Sequence, residues 1–533
     1  MREEQRARRH FRLTVRLTVW CLLVLALVAM VPAPALARPT AAAHQVLLVA
    51  NSDVGTVTLI DAHTLKPMGE INVIPDGDTP QDPAQAAVYP AIKARQGVNF
   101  AQGIAISPGG QTLYVSRGYL GDVAGLDIAT GRLSWRLQTS SLRADHVALS
   151  PDGRRLFVSA LTSNQVQVID TASHAFVGSF ATGDWPHVLG FSPDGRYLYN
   201  GSLGNQLAPQ GLDGNKQITV ADSTTLQVLR TYPFQAGVRP FVVTPDGNTM
   251  FVQLSYLNGF VVLDLPSGRV VTTVHLPVSG PGASMRQQDY PNQAAHHGID
   301  LSPDGKYVCD AGTISNYVAL VSRSDLTPAA IIPVGDQPAE AETSLDGRYC
   351  FVTDRGPASN TVSVISYAEG REVARIPVGR HPQEEQEATI PDAVLRAGGF
   401  LGPAAGSGSP SRPRRGPRLT LTRVRLTHRV FRVGRASHRR PTRGTAFLFS
   451  LSRPARVTIT LTRTPTRVRR GHRRPRVRGV LTLAGHVGRN SLFFSGRLSG
   501  RRLGPGRYRA RLRATSRDGQ RVRPVTVRFI VVA

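Results

Sequence analysis

Four histidines, an arginine and several carboxylates recur at one kind of position in this sequence. Gln102, Asp145 with His146, His187, Arg239, His296 with His297, and Glu340 stand just before copies of a repeated turn tetrad, and Gln383 with Glu384 occupies the place where a further copy would begin. Neutral imidazole nitrogens and carboxylate oxygens together suit a borderline divalent cation, and the set also suits an anionic ligand. His146, His187, His297 and Glu340 are the candidate metal ligands. Gln102, Arg239, His296 and Glu384 complete the candidate ligand-binding residues. The competing reading is a hydrated tunnel, lined by polar side chains that cannot be buried between packed sheets. The sequence requires no cofactor, and a divalent metal is the one it would accommodate. It names no catalytic residue, because it holds no Gly-x-Ser-x-Gly elbow, no phosphate-binding Gly-Lys-Ser/Thr loop and no HExxH helix.

These residues share a position because the chain repeats. Ser-Pro-(Asp/Gly)-Gly or a close variant begins at Ser107, Ser150, Ser192, Thr244, Ser302 and Ser344, at spacings of 43, 42, 52, 58 and 42 residues. Proline presets φ at the second position of the turn, glycine accepts the positive φ that reverses the strand, and aspartate bonds back to the turn amides. A short apolar run precedes each copy, as in Gly103-Ile104-Ala105-Ile106, and another follows, as in Leu156-Phe157-Val158-Ser159. A third run ends in aspartate, as in Gln165 to Asp170, and a fourth follows a polar turn. Four short strands in roughly 40 residues, repeated, predict β-propeller blades rather than a sandwich.

Six marked units are complete, while Gln45–Val73 reads as strands two to four of a unit lacking its first strand. The segment from His381 to Ile390 can supply it. Joining the two ends gives seven blades and leaves no open sheet edge. The units Leu113-Tyr114-Val115-Ser116, Phe351-Val352-Thr353-Asp354 and Thr361-Val362-Ser363-Val364-Ile365, with the endings Ile332-Pro333-Val334-Gly335 and Ile376-Pro377-Val378-Gly379, resemble the YVTN-type β-propeller repeat. The resemblance covers about 345 residues and implies the fold; the family includes cell-surface proteins of unassigned role and its wider relatives span cofactor-bearing oxidoreductases, lactonases and lyases, so it implies no single activity. The longer connections Pro75–Asn99, Gly201–Gln217 and Val278–Ala295 are expected to be loops that carry binding specificity.

At the N-terminus Arg2, Arg6, Arg8, Arg9, Arg12 and Arg16 precede an apolar run from Val19 to Val31, and Ala35-Leu36-Ala37 supplies small residues for cleavage. This pattern predicts a signal peptide over residues 1–37 and a secreted or cell-envelope protein. Arg8-Arg9-His10-Phe11 resembles the twin-arginine export motif. Cys309 and Cys350 would then meet an oxidising compartment. They lie in corresponding strands of neighbouring repeats, which leaves open a disulfide or two buried thiols.

The formal charge of +28 is unevenly distributed. Residues 412–533 hold 34 arginines, no lysine and one acid, Asp518, for +33; residues 1–38 carry +5, and residues 39–411 are left at −10. A Gly/Pro/Ser-rich linker is expected over 396–417. Beyond it Arg507, Arg509, Arg511 and Arg513 alternate with Tyr508, Ala510, Leu512 and Ala514, the period of a half-buried strand. About seven such runs, with turns at Gly504-Pro505-Gly506 and Asp518-Gly519, predict an arginine-rich immunoglobulin-like sandwich over 418–533, and the closing pattern from Leu503 to Tyr508 resembles small bacterial sandwich modules. Thr464–Arg478 reads as a cationic loop.

The sequence therefore predicts an all-β chain with a seven-bladed propeller over 38–395 and a small immunoglobulin-like sandwich. The expected function is binding or display at the cell envelope, by a monomer. Residues 412–533 would meet an anionic cell-wall polymer or membrane surface, and the propeller a protein or small-molecule ligand. Nucleic acid is disfavoured as a partner of an exported chain. The alternative is a channel-centred enzyme, a metal-assisted lyase or lactonase-like protein.

Overall fold

The computed structural model describes residues 42–209, 211–402, 419–433, 444–464, 477–498, 501–516 and 520–532. The expected signal peptide, most of the expected linker, most of the cationic loop and the Asp518-Gly519 turn lie outside these residues. The chain separates into two compact units, residues 1–404 and 405–533.

The first unit is built on the repeated turn. At Ser192 the hydroxyl donates to Asp194 Oδ1 (2.5 Å) and accepts from the Tyr197 amide (2.9 Å), while the Arg196 amide donates to Asp194 Oδ1 (3.1 Å). Gly195 closes the turn at φ 71°, a conformation that costs a residue with a Cβ about 1–2 kcal/mol. The same hydroxyl–aspartate pair forms at Ser150, Thr244, Ser302 and Ser344. Each turn fixes the register of the two strands it joins, and the result is seven four-stranded antiparallel sheets.

Their first strands are Gly103–Ile106, Ala144–Leu149, Pro186–Phe191, Val238–Val243, Ile299–Leu301, Pro338–Thr343 and Pro382–Pro391. Each touches the next and the last touches the first, so they close a cycle. This is the arrangement of a β-propeller. The strand Pro382–Pro391 pairs antiparallel with Ala43–Asn51 from the other end of the unit, with Ala43 opposite Pro391 and Asn51 opposite Pro382.

Apolar faces of neighbouring sheets interlock. Val46, Leu48, Val57 and Leu59 of one sheet pack with Ile104, Leu113, Val115 and Leu126 of the next, all buried. Each such side chain contributes about 1.5–3 kcal/mol by leaving water. A disulfide joins Cys309 in Tyr307–Gly312 to Cys350 in Tyr349–Asp354 of the following sheet, with a Cα–Cα separation of 6.7 Å.

Two expected loops hold helical structure. Between Pro75 and Asn99 lies the helix Pro83–Gln96, begun by Asp82, whose side chain accepts from the Gln85 amide at 2.8 Å, and by proline at the first position. Its alternating small and polar residues hid it from a periodicity reading. Between Val278 and Ala295 three short 3₁₀ turns form. The helix Asp392–Ala397 also runs into the beginning of the expected linker. Among the described residues no helix is long and apolar enough to cross a membrane.

The second unit has a three-stranded sheet of Leu421–Leu426, Thr445–Leu451 and Gly488–Phe494, and a five-stranded sheet of Val430–Arg432, Val525–Val532, Gly506–Ser516, Ala455–Arg463 and Val477–Gly485 in that spatial order. Phe447 and Phe449 from one sheet share a core with Val457, Ile459, Tyr508, Leu512 and Phe529 from the other. Along Gly506–Ser516 the arginines 507, 509, 511 and 513 are exposed and Tyr508, Ala510, Leu512 and Ala514 are buried.

Candidate functional site

The start of almost every first strand is irregular in the same way. Asp145 and His146 together oppose one residue of the neighbouring strand, because Ala144 pairs with Ala160 and Val147 with Val158. His187 with Val188, and Arg239 with Pro240, occupy the same two-for-one step. Glu340 is the extra residue between Ala339 and Ala341, and Gln383 the extra residue between Pro382 and Glu384. In the fifth sheet the His297 amide donates to the Ala311 carbonyl while the Ala311 amide donates to the Gly298 carbonyl, again two residues against one. A β-bulge re-aims side chains that strict alternation would send to opposite faces. Here it turns the candidate residues toward one another.

Three histidines meet carboxylates through Nδ1. His187 Nδ1 donates to Asp145 Oδ1 at 3.2 Å. His146 Nδ1 lies 2.9 Å from Glu384 Oε2 and His297 Nδ1 lies 3.1 Å from Glu340 Oε1, both at ion-pair distance although neither carboxylate oxygen is aligned as a hydrogen-bond acceptor. The opposite ring nitrogens face inward. His187 Nε2 and His297 Nε2 are 3.3 Å apart, and His146 Nε2 is buried without a hydrogen-bond partner, 3.7 Å from Asp145 Oδ1. The His146 and His187 rings meet edge to face with centroids 4.4 Å apart. Ligand atoms of Asp145, His146 and His187 all lie within 4.8 Å of one another, a group able to hold a metal ion.

Burial and neighbouring charge set the protonation of this group. Burial, with the charge of His146, lowers His187 to about 3, and burial with the guanidinium groups of Arg355 and Arg239 pushes His297 well below the usual histidine range. Burial also opposes the charged form of His146, but Glu384 and Asp145 outweigh it and raise that imidazole to about 9. Burial opposes ionisation of Asp145 as well, and Arg143 and His187 reverse it, holding its carboxyl below the usual range.

Three arginines approach the same group. Arg143 Nε stands 3.1 Å from Asp145 Oδ2, and its Nη2 donates to Gln102 Oε1 at 2.8 Å. Arg239 donates from Nε to Ser255 Oγ at 3.1 Å and from Nη2 to the Asn292 carbonyl. Arg355 is buried, and its Nη2 has no hydrogen-bond partner among the described residues.

A cavity of about 200 Å³ has a lining that includes His146, Asp300, Glu340, Glu342, Glu384 and Glu385. Burial and mutual repulsion push Glu342 and Glu385 well above the usual carboxylate range, and burial raises Glu384 to about 7. Neither carboxylate oxygen of Glu385 has a hydrogen-bond partner.

Of the candidates read from the sequence, His146, His187, His297, Glu340 and Glu384 come together, Gln102 and Arg239 stand near them, and His296 does not join them. His296 turns its Nδ1 to Asp310 and its Nε2 toward the Tyr317 hydroxyl at 3.3 Å, inside its own sheet. Of two adjacent histidines at a bulge, only His297 faces the other imidazoles. Arg143, Arg355, Asp300, Glu342 and Glu385 escaped the sequence reading. The available signal was compositional, since Glu340-Ala341-Glu342 and Glu384-Glu385-Gln386-Glu387 place acids in segments whose position demands strands, where acids are depleted.

No family model and no curated protein matches the chain. Solved structures that it resembles include hydrazine synthase of Kuenenia stuttgartiensis, at 21% identity over 55% of this chain and 96% of that one, with a TM-score of 0.44. They also include a putative 6-phosphogluconolactonase of Bacteroides fragilis, at 15% identity over 65% of this chain and 98% of that one, with a TM-score of 0.47.

Proposed function

We propose that this chain is an exported seven-bladed β-propeller that binds a divalent transition metal at the centre of its ring, joined to an immunoglobulin-like sandwich that attaches it to the cell envelope. The observation that carries the metal is the approach of His187 Nε2 to His297 Nε2 at 3.3 Å. Asp145 accepts from His187 Nδ1, so the His187 Nε2 presents a lone pair toward His297 Nε2. A cation shared by the two nitrogens fits that spacing, in competition with a direct hydrogen bond from His297 Nε2 to His187 Nε2. Two nitrogens bound to one tetrahedral zinc at about 2.0–2.1 Å stand roughly 3.3 Å apart. His146 Nε2 would supply a third ligand once the metal displaces its proton, and Asp145, Glu340 and Glu384 stand behind the rings, where carboxylates commonly orient metal-bound histidine.

Metal analysis of purified, tag-free protein tests this. About one equivalent of metal should survive mild dialysis, and chelator should lower the melting temperature. No stoichiometric metal, together with a melting curve indifferent to chelator, would leave the hydrated tunnel as the correct reading.

The exposed arginine row of Gly506–Ser516 supports attachment of residues 412–533 to an anionic wall polymer or membrane surface. Retention of the full chain on cell-wall preparations should fall as salt rises, and an absence of retention at low salt would remove this part. A second reading, a metal-assisted lyase or lactonase-like enzyme, is favoured by the cavity of about 200 Å³ beside His146 and Glu385. The metal would polarise an oxygen of the substrate, and Glu385, with neither oxygen engaged, is the group available to hold a proton there.

A further inference from the structure

The fold contains the same arginine position twice, satisfied once. Arg117 follows the strand Thr112–Ser116, and Arg355 follows Tyr349–Asp354, each as the first residue after the second strand of its sheet and each followed by glycine. Arg117 is gripped by two carboxylates: its Nε and Nη2 donate to Asp122 at 2.6 Å each, and its Nη1 donates to Asp76 at 2.6 Å. Arg355 is only 5% exposed, yet no carboxylate forms an ion pair with it among the described residues. Its Nη2 is buried and has no hydrogen-bond partner.

Arg239, 2% exposed, likewise hydrogen-bonds among the described residues only to the Ser255 hydroxyl and the Asn292 carbonyl, both neutral. The third member, Arg143, shares its one close carboxylate, Asp145, with His187 and His146. The three side chains are close enough for their charges to oppose one another. A buried guanidinium without an ion-pair partner is costly, and the carboxylates whose charge reaches Arg355 and Arg239, Glu340 and Asp145, already stand against His297 and His187.

We propose that Arg143, Arg239 and Arg355 form a binding site for a small oxyanion, a carboxylate or phosphate group, beside the histidine group. A planar guanidinium presents two parallel donors that match the paired oxygens of such a group. Arg355 offers its unpartnered Nη2, Arg239 and Arg143 add charge near it, and Arg143 is held by Gln102 and the Tyr119 hydroxyl. The site does not depend on a metal, because its donors belong to the chain.

Calorimetric titration of the full chain with inorganic phosphate and, separately, with malonate tests the proposal, on chelator-dialysed and on zinc-loaded protein. One of the two anions should bind in both preparations with one-to-one stoichiometry, and which one binds identifies the group recognised. Arg355→Gln should weaken binding by roughly tenfold or more, the loss expected of a charge-assisted bidentate contact. Arg355→Lys should lose less, and Arg154→Gln, at an exposed turn, should lose nothing. The Arg355→Gln protein should melt at or above the wild-type temperature in anion-free buffer, since it removes an uncompensated charge. The proposal is overturned if neither anion binds, if binding requires zinc and ignores Arg355→Gln, or if Arg355→Gln melts clearly below wild type without anion, which would make Arg355 a structural residue.

Discussion

His187 Nε2 and His297 Nε2 face each other at 3.3 Å although 110 residues separate them in the chain. Each is delivered by a bulge at the start of a first strand, and each has its other ring nitrogen against a carboxylate. His187→Ala and His297→Ala should each abolish stoichiometric metal while leaving the fold intact, because each removes an Nε2 without touching the sheet pairing. For wild type, zinc at a hundredfold excess over its dissociation constant should add about 2.7 kcal/mol of stability. The readout is metal content alongside melting with and without zinc; retention of a full equivalent by both variants would refute the site.

Gly298 lets the two bulges approach. A Cβ there would lie 2.6 Å from the Glu340 backbone, and the residue has φ 96°. Gly298→Ala should therefore destabilise the protein by about 1–3 kcal/mol and displace Glu340 from His297. Denaturant unfolding reads the first effect and loss of metal reads the second.

The pairing of Ala43–Asn51 with Pro382–Pro391 ties the two ends of the first unit together. Deleting residues 380–395 exposes the buried strand Ala43–Asn51 and the apolar groups that Ile390 and Leu395 cover. The melting temperature of the whole unit should fall, and a truncated protein that melts with the full chain would show that the closure contributes nothing.

The Cys309–Cys350 bridge closes a separation of 41 residues. Loop-closure entropy gives such a bridge about 4 kcal/mol at 25 °C. Cys309→Ser with Cys350→Ser should lose a comparable amount in urea unfolding, and reductant should lower the wild-type midpoint while leaving the double variant unchanged.

Burial raises Asp354 from 3.8 to about 6, against hydrogen bonds from Thr361 and Ser363 that favour its charged form. Its folded pKa lies above the unfolded one, so the folded state holds this proton more tightly. The stability linked to it is present below about pH 4 and is lost as pH rises through about 6, a fall of roughly 2–3 kcal/mol. Asp354→Asn should flatten that part of the stability curve relative to wild type. Parallel pH curves for the two proteins would contradict the assignment.

The sequence determined the repeat. Proline, glycine, aspartate and hydroxyl side chains fix the turn within a few residues, so their recurrence announced sheets of four strands before any tertiary contact was considered, and the alternation from Arg507 to Ala514 announced a half-buried strand for the same local reason. The local pattern also marked where chemistry would gather, just ahead of each turn. It could not say which side chains face one another. Strict alternation puts Asp145 and His146 on opposite faces, and the bulge that brings both to the channel is a property of two paired strands. His296 and His297 are identical in type and adjacent in sequence; Asp310 and Tyr317 hold one inside its sheet, and Glu340 meets the other from the neighbouring sheet. Arg117 and Arg355 likewise sit alike in the repeat, and only the tertiary structure gives two carboxylate ion pairs to the first and, among the described residues, none to the second. Turns are decided by residues a few positions apart, whereas a site at the centre of a ring is decided by residues that meet only when the ring has closed.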